Sequence, residues 1–186
     1  CIVFHCSGAL SSDILAKASA AGALIASIHP AHSFASPSQS LNGFAGSTCA
    51  YEGDQGALDT LIPVFQAIGA RTLPIDKAQK TLYHAGSVMA CNYLVPLIEA
   101  SLECFAQAGI PKSASAELLQ PLMHATIDNV LKAQSKNVDE PSYLTGPVAR
   151  GDVDTIESQQ ARLASELPHL ADTYSILGLR ALEIAR

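Results

Sequence analysis

Cys1-Ile2-Val3-Phe4-His5-Cys6-Ser7-Gly8-Ala9-Leu10 opens the chain on an apolar run of strand length that stops in a small polar turn. The Ala-rich segment Leu10 to Ala21 follows with helical character, and Leu24 to Ile28 is a second β-type run ending in His29-Pro30. Outward from there the rhythm continues. Ser33 to Gly46 is rich in Ser, Pro, Asn and Gly and predicts loop. Thr48 to Tyr51 predicts a third strand, Asp54 is placed to cap a helix running to Ile68, Gly69 ends it, and Arg71 to Ile75 returns as a strand. Strand, helix and strand in this order predict βαβ units and a parallel sheet. An opening strand as apolar as this one needs neighbours on both edges, because parallel sheets are covered on both faces. The expectation is therefore that an N-terminal portion of the domain precedes this sequence. The alternative is a complete small sheet that borrows its missing edge from another chain.

From about Asp76 the β signals stop. Lys77 to Ala108 reads as one long helix, kinked at Pro96 because proline lacks the backbone donor and ended by Gly109-Ile110-Pro111. Ser115 to Ser135 predicts a second helix, with Leu118, Leu122, Ala125 and Val130 near one side. Asn137 to Gly151 predicts loop, Asp152 caps a third helix to about Glu166, and Pro168 opens the last one, at a first-turn position suited to proline. The fold class expected is α/β followed by all-α, with domains 1–76 and 77–186. Met89 and Leu94 are assigned to core, and His124 and His169 to structural roles.

Composition narrows the function. A chain of 186 residues that is 48% hydrophobic and 15% charged folds around a real core. A net charge of −6 without a Lys/Arg run argues against nucleic acid as partner. The apolar stretches are broken by polar residues well before 18 in a row, so no membrane span and no membrane partner are expected, and no basic leader segment precedes a cleavage site. Five cysteines, odd in number and without a C-x-x-C pair, suit reduced thiols in a cytoplasm.

Chemistry-bearing residues gather in four places. His5-Cys6-Ser7-Gly8 and His29-Pro30-Ala31-His32 follow adjacent strands, and ligands of open α/β sheets bind outside strand carboxyl ends; the competing reading is that His5 and His29 only bond backbone carbonyls. His29 and His32 form H-x-x-H without a third ligand at usable spacing, so no metal is expected. Ser7 lacks the first glycine of a nucleophile elbow. Tyr83-His84-Ala85-Gly86-Ser87-Val88-Met89-Ala90-Cys91-Asn92 places Ser87 and Cys91 about a turn apart, with His84 and Asn92 on the same broad side and little bulk between them. Helix packing explains that smallness equally well. Thr145-Gly146-Pro147-Val148-Ala149-Arg150-Gly151-Asp152 makes a fixed loop whose Arg150 offers a planar fork to a carboxylate or phosphate, or else pairs with Asp152 or Asp154.

HCSGALSSDIL, SIHPAHSF, LYHAGSVMACNYL and TGPVARGD, in this order, resemble the Rossmann-like oxidoreductases that carry a C-terminal domain of unknown function, family number 2520. Their plan is similar to that of ketopantoate reductase, pyrroline-5-carboxylate reductase and 6-phosphogluconate dehydrogenase. The resemblance implies a partial Rossmann-like domain and an all-helical substrate and dimerisation domain. It also implies an NADP (or NAD) cofactor, a small, possibly anionic carbonyl, imine or hydroxy substrate, and a homodimer formed through the helices. The family's G-x-G-x-x-G loop has no counterpart in these 186 residues, so the chain is expected to keep only the nicotinamide-side edge, with His5, Ser7, Gly8, His29 and Pro30 as its contacts. Relatives place a Lys and an Asn on the first long helix; here the stretch offers His84 and Asn92 as the catalytic pair, with no Lys in the expected frame. Ser87, Thr145, Gly146, Pro147 and Arg150 are the substrate candidates. The alternative in another class is a non-catalytic nucleotide-sensing or dimerisation module.

Overall fold

The computed structural model describes residues 1–34, 36–135 and 143–186. Part of the loop expected over 137–151 lies outside them. The chain divides into two units, Cys1–Val95 and Pro96–Arg186.

In the first unit, β1 (Ile2–His5), β2 (Leu24–Ala31), β3 (Thr48–Gly53) and β4 (Arg71–Pro74) form one sheet in that order. β1 runs parallel to β2 and β3 parallel to β4, but β2 and β3 are antiparallel. The sheet is thus mixed, where an all-parallel one was expected. The expectation came from the continuous apolar character of the strands. Burial on both faces shows that a strand is central, but not which way its neighbour runs. β2 also continues through His29 and Pro30 to Ala31, so these residues lie within the strand. A short helix α2 (Pro37–Gly43) forms where loop was expected.

Alternation sorts the strands into two faces. Ala26, Ile28 and Cys49, with Ile2 and Tyr51, meet Ala57, Leu58, Leu61 and Phe65 of α3 (Gln55–Ala67), and the Phe4 and Phe65 rings stand edge to face at 6.2 Å. Asp54 sits at the start of α3, but its side chain does not cap that helix: Oδ2 accepts the Ile25 N–H at 2.8 Å. The opposite face carries His5, Ser27, His29 and Glu52. Around it run the 3-10 turn Ser12–Leu15 with α1 (Ala16–Ala20) and the helix that leaves β4.

That helix begins as a 3-10 turn, Lys77–Gln79, capped by Asp76 Oδ1, which accepts the Ala78 N–H at 2.9 Å. It continues as α4 (Lys80–Ser87), a π turn (Val88–Asn92) and α5 (Leu94–Gln107). The irregularity therefore falls at the π turn, before Pro96, which lies in the first turn of α5 where helical N–H groups lack partners within the helix. Met89, assigned to core, is 68% exposed. The helix Lys77–Gln107 holds an 18-residue window of mean hydropathy 1.3, long and apolar enough to cross a membrane by length and composition, and none of that window is buried inside the chain.

The second unit holds α5 from Pro96 onward, α6 (Lys112–Ser135), α7 (Pro147–Arg150), α8 (Val153–Glu166) and α9 (Pro168–Ile184). Asp152 caps α8 by accepting the Thr155 N–H at 3.1 Å and its hydroxyl at 2.8 Å, and Pro168 opens α9. Among its described residues only Ser115 and Leu119 are buried, while Leu122, Leu131, Ile176 and Leu179 are exposed. His169 Nε2 meets Glu103 at 2.7 Å.

Candidate active site

The register lines up one residue from each of three strands, His5 with Ser27 and Ser27 with Glu52. Cross-strand partners share a face, so the covered side of the sheet carries a row of imidazole, hydroxyl and carboxylate. Ser27 is fully buried and Glu52 nearly so. Such groups are tolerated only with their hydrogen bonds made, and among the described residues no buried side-chain nitrogen or oxygen lacks a partner. Glu52 takes both donors of Ser12, its N–H on Oε1 and its hydroxyl on Oε2, each at 2.7 Å.

Over this row lies Lys80, the first residue of α4, 1% exposed. Its Nζ donates to the Ser27 hydroxyl and to the Ser7 carbonyl at 3.0 Å, and stands 3.9 Å from Glu52 Oε1. Burial pushes the Lys80 ammonium below the ordinary lysine range, while Glu52 and then Cys6 push it back up. The His5 tautomer follows from its neighbours: Nδ1 accepts the Ser7 N–H at 3.1 Å, so Nε2 carries the proton and donates to the Ser11 carbonyl at 3.1 Å.

One turn along α4, Tyr83 and His84 reach the same face. The Tyr83 hydroxyl and His29 Nδ1 are 3.0 Å apart, and the His29 and His84 ring centroids 5.8 Å. Both imidazoles lie against Gly8. A Cβ built there would stand 2.3 Å from His84 Cδ2 and 2.8 Å from His29 Cε1 and Nε2, so the absence of a side chain at residue 8 is what admits the two rings. Burial, then His84 and Lys80, hold the His29 imidazolium below the usual histidine range. Burial raises the Tyr83 phenol and the Cys6 thiol, the latter opposed by Lys80.

The structure thus brings together His5, Ser7, Gly8, His29 and His84. Ser87 lies one turn beyond Tyr83, its hydroxyl donating to the Tyr83 carbonyl at 3.4 Å. Pro30 alternates to the α3 face, paired with Cys49 in register. Asn92 closes the π turn and is exposed, eight residues and roughly 12 Å of helical rise beyond His84. Thr145, Gly146, Pro147 and Arg150 belong to the second unit. There Gly146 precedes α7 with φ of 90°, Pro147 begins it, and Arg150 ends it exposed, with no ion pair to Asp152 or Asp154 among the described residues.

Lys80, which was not among the expected site residues, stands one turn before His84, on the same side. Ser27, Glu52 and Tyr83 complete the cluster and were likewise absent from the expected set. The available signal was the spacing Lys80, Tyr83, His84, Ser87, a polar i, i+3, i+4, i+7 stripe. It is masked because hydrophobicity predicts the opposite face as the inner one, whereas Leu82 is 72% exposed.

A mixed four-stranded sheet followed by a mostly helical region, with a polar cluster at the carboxyl end of β1, is a Rossmann-like fold with its helical domain. The family described as "Domain of unknown function (DUF2520)" matches residues 47–181, and the chain belongs to that family. Protein TM1727 from Thermotoga maritima is 27% identical, with a TM-score of 0.74 over 99% of this chain and 68% of its own. BF3122 from Bacteroides fragilis, described as a candidate NADP oxidoreductase, has a TM-score of 0.74 at 17% identity over 98% of this chain and 65% of its own. The pyrroline carboxylate reductase of Plasmodium falciparum, solved with NADP bound, has a TM-score of 0.53 at 12% identity over 100% of this chain and 70% of its own. These last two likenesses establish the fold alone. No protein with a curated description matches.

Proposed function

We propose that this chain is the nicotinamide-side and helical part of an NADP-dependent oxidoreductase that acts on a small carbonyl, imine or hydroxy compound. The observation that carries the reading is the convergence of His29, Tyr83 and His84 on the turn His5–Gly8, at a strand end where such sheets bind ligands. The residues present fit one end of the cofactor. The turn around Gly8 lets two imidazoles lie against bare backbone, and His5, Ser7, Gly8 and His29 would hold the nicotinamide there. The phosphates need a glycine-rich loop at a helix N-terminus, and these residues do not supply it. When bound, the nicotinamide supplies or accepts hydride.

The protein's own part is the proton. His84 donates to, or accepts from, the oxygen or nitrogen of the reacting group through a ring nitrogen, as a neutral-pH imidazole does well. His29, whose imidazolium is disfavoured by burial and then by His84 and Lys80, is held beside it through the Tyr83 hydroxyl. Arg150 is proposed to hold an anionic substrate end, and the exposed apolar faces of the helices to meet a second copy of the chain, in the cytoplasm. The test is His84→Ala in the complete protein: turnover should fall by about 100- to 10,000-fold with NADPH affinity, followed by fluorescence titration, nearly unchanged. Small, equal losses in both would make His84 a packing residue.

A further inference from the structure

We propose that Glu52 is a positioning residue that acts through Lys80: gripped by both donors of Ser12, its carboxylate keeps Lys80 as a buried ammonium, and that ammonium in turn pins the Ser7 carbonyl and so the turn His5–Gly8.

Ser12 occupies both carboxylate oxygens of Glu52 at 2.7 Å, which aims Oε1 at Lys80, 3.9 Å away. Lys80 spends two donors on Ser27 and on the Ser7 carbonyl. Ser7 then gives its own N–H to His5 Nδ1, whose far nitrogen holds the Ser11 carbonyl beside Ser12. The loop of contacts runs Ser12, Glu52, Lys80, Ser7, His5, Ser11 and back to Ser12 through the chain, and Gly8, the seat of His29 and His84, follows Ser7. A buried ammonium without a counter-charge loses its proton or its place, so Glu52 decides whether the ring of contacts stays shut. The titratable groups that interact with Lys80 are Glu52 from β3, Cys6 from the turn after β1 and His29 from β2; of these Glu52 is the carboxylate.

The assignment needs no turnover, so it stands or falls apart from the oxidoreductase reading. The experiment follows the ε-carbon of Lys80 by NMR in 13C-lysine-labelled full chain, assigned with Lys80→Arg, across a pH titration. In Glu52→Gln, which keeps the shape and removes the charge, the Lys80 midpoint should fall by about 1–3 pH units, and the Ser7 and Gly8 amides should exchange faster. Lys80→Met should reproduce that faster exchange, and the double variant should add nothing further. An unchanged midpoint in folded Glu52→Gln, or additive exchange in the double variant, overturns the proposal. Should Glu52→Gln not fold, Glu52→Asp decides, since it keeps the charge and withdraws it by one methylene: the midpoint must still fall, and a midpoint equal to wild type overturns the proposal just as well.

Discussion

Replacing Gly8 by alanine adds one methyl group where the structure has room for none. Carbon atoms rest about 3.5–4.0 Å apart, whereas the new Cβ would stand 2.3 Å from His84 Cδ2 and 2.8 Å from two atoms of His29. The His84 ring must therefore retreat by roughly 1.2–1.7 Å and His29 by roughly 0.7–1.2 Å to restore ordinary contact. His84 is half-buried and has solvent on one side. His29 is tied to the Tyr83 hydroxyl at 3.0 Å, so its retreat stretches or breaks that bond. Overpacking of this kind costs about 1–3 kcal/mol. The backbone makes the sign informative: Gly8 is not in the left-handed region, so without the clash Gly→Ala would stabilise by about 0.4–1 kcal/mol through the unfolded chain. Urea unfolding of Gly8→Ala beside wild type, with 15N resonances of the His29 and His84 rings, reads both effects. Lower stability with shifted ring resonances is expected. A variant as stable as wild type or more so, with unmoved His29 resonances, would refute the packing argument.

Lys80→Met leaves Glu52 buried with only the donors of Ser12; urea unfolding should show a loss of about 3 kcal/mol, and Glu52→Gln added to it should recover part, whereas an additive loss would mean that the two charges do not interact. For pH, the His29 proton is held less tightly in the folded chain than at its ordinary value near 6.5, so the unfolded chain binds more protons in the window below that value. The stability associated with His29 is then present above about pH 6.5 and lost as pH falls through the window. Melting temperature should drop from pH 7.5 to pH 5.5, less so in His29→Gln, and equal drops in both would remove His29 from the account. Leu82 and Met89 are 72% and 68% exposed; Met89→Glu should shift sedimentation from dimer towards monomer at micromolar concentration, and a wild type that sediments as monomer contradicts the proposed self-association.

Local signals were enough to place most elements. The strand runs at Cys1–His5, Leu24–Ile28, Thr48–Tyr51 and Arg71–Ile75 fall within a few residues of β1 to β4, and the helix from Asp54 to Gly69 is α3 with its two ends. Gly69 ends α3 with φ of 90°, and Pro168 opens α9, because turn and cap chemistry is written in one or two residues. The antiparallel meeting of β2 and β3 was not legible. Strand direction depends on which edge accepts the returning chain, and that is a contact between residues far apart in the chain, as in Ser27 with Glu52.

The candidate site divides along the same line. His5, Ser7 and Gly8 were visible because a polar turn at a strand end is a local pattern, and His29 and His84 because each stands in a short run of small and polar residues. Lys80 was not, because a lysine near a helix start reads as solvated, and only the packing of α4 on the sheet turns it inward over Ser27 and Glu52. By itself the sequence determined the order of elements, the passage from β to helix after residue 76 and the polar turn that His5 opens at the end of β1, all of which follow from periodicity and turn chemistry within a few residues. The tertiary structure alone decided the direction of β3, the burial of Lys80 and the partnership of Ser12, Glu52 and Ser27. Those depend on charges and backbones brought together from distant parts of the chain, where desolvation, not local preference, sets which polar groups must find one another.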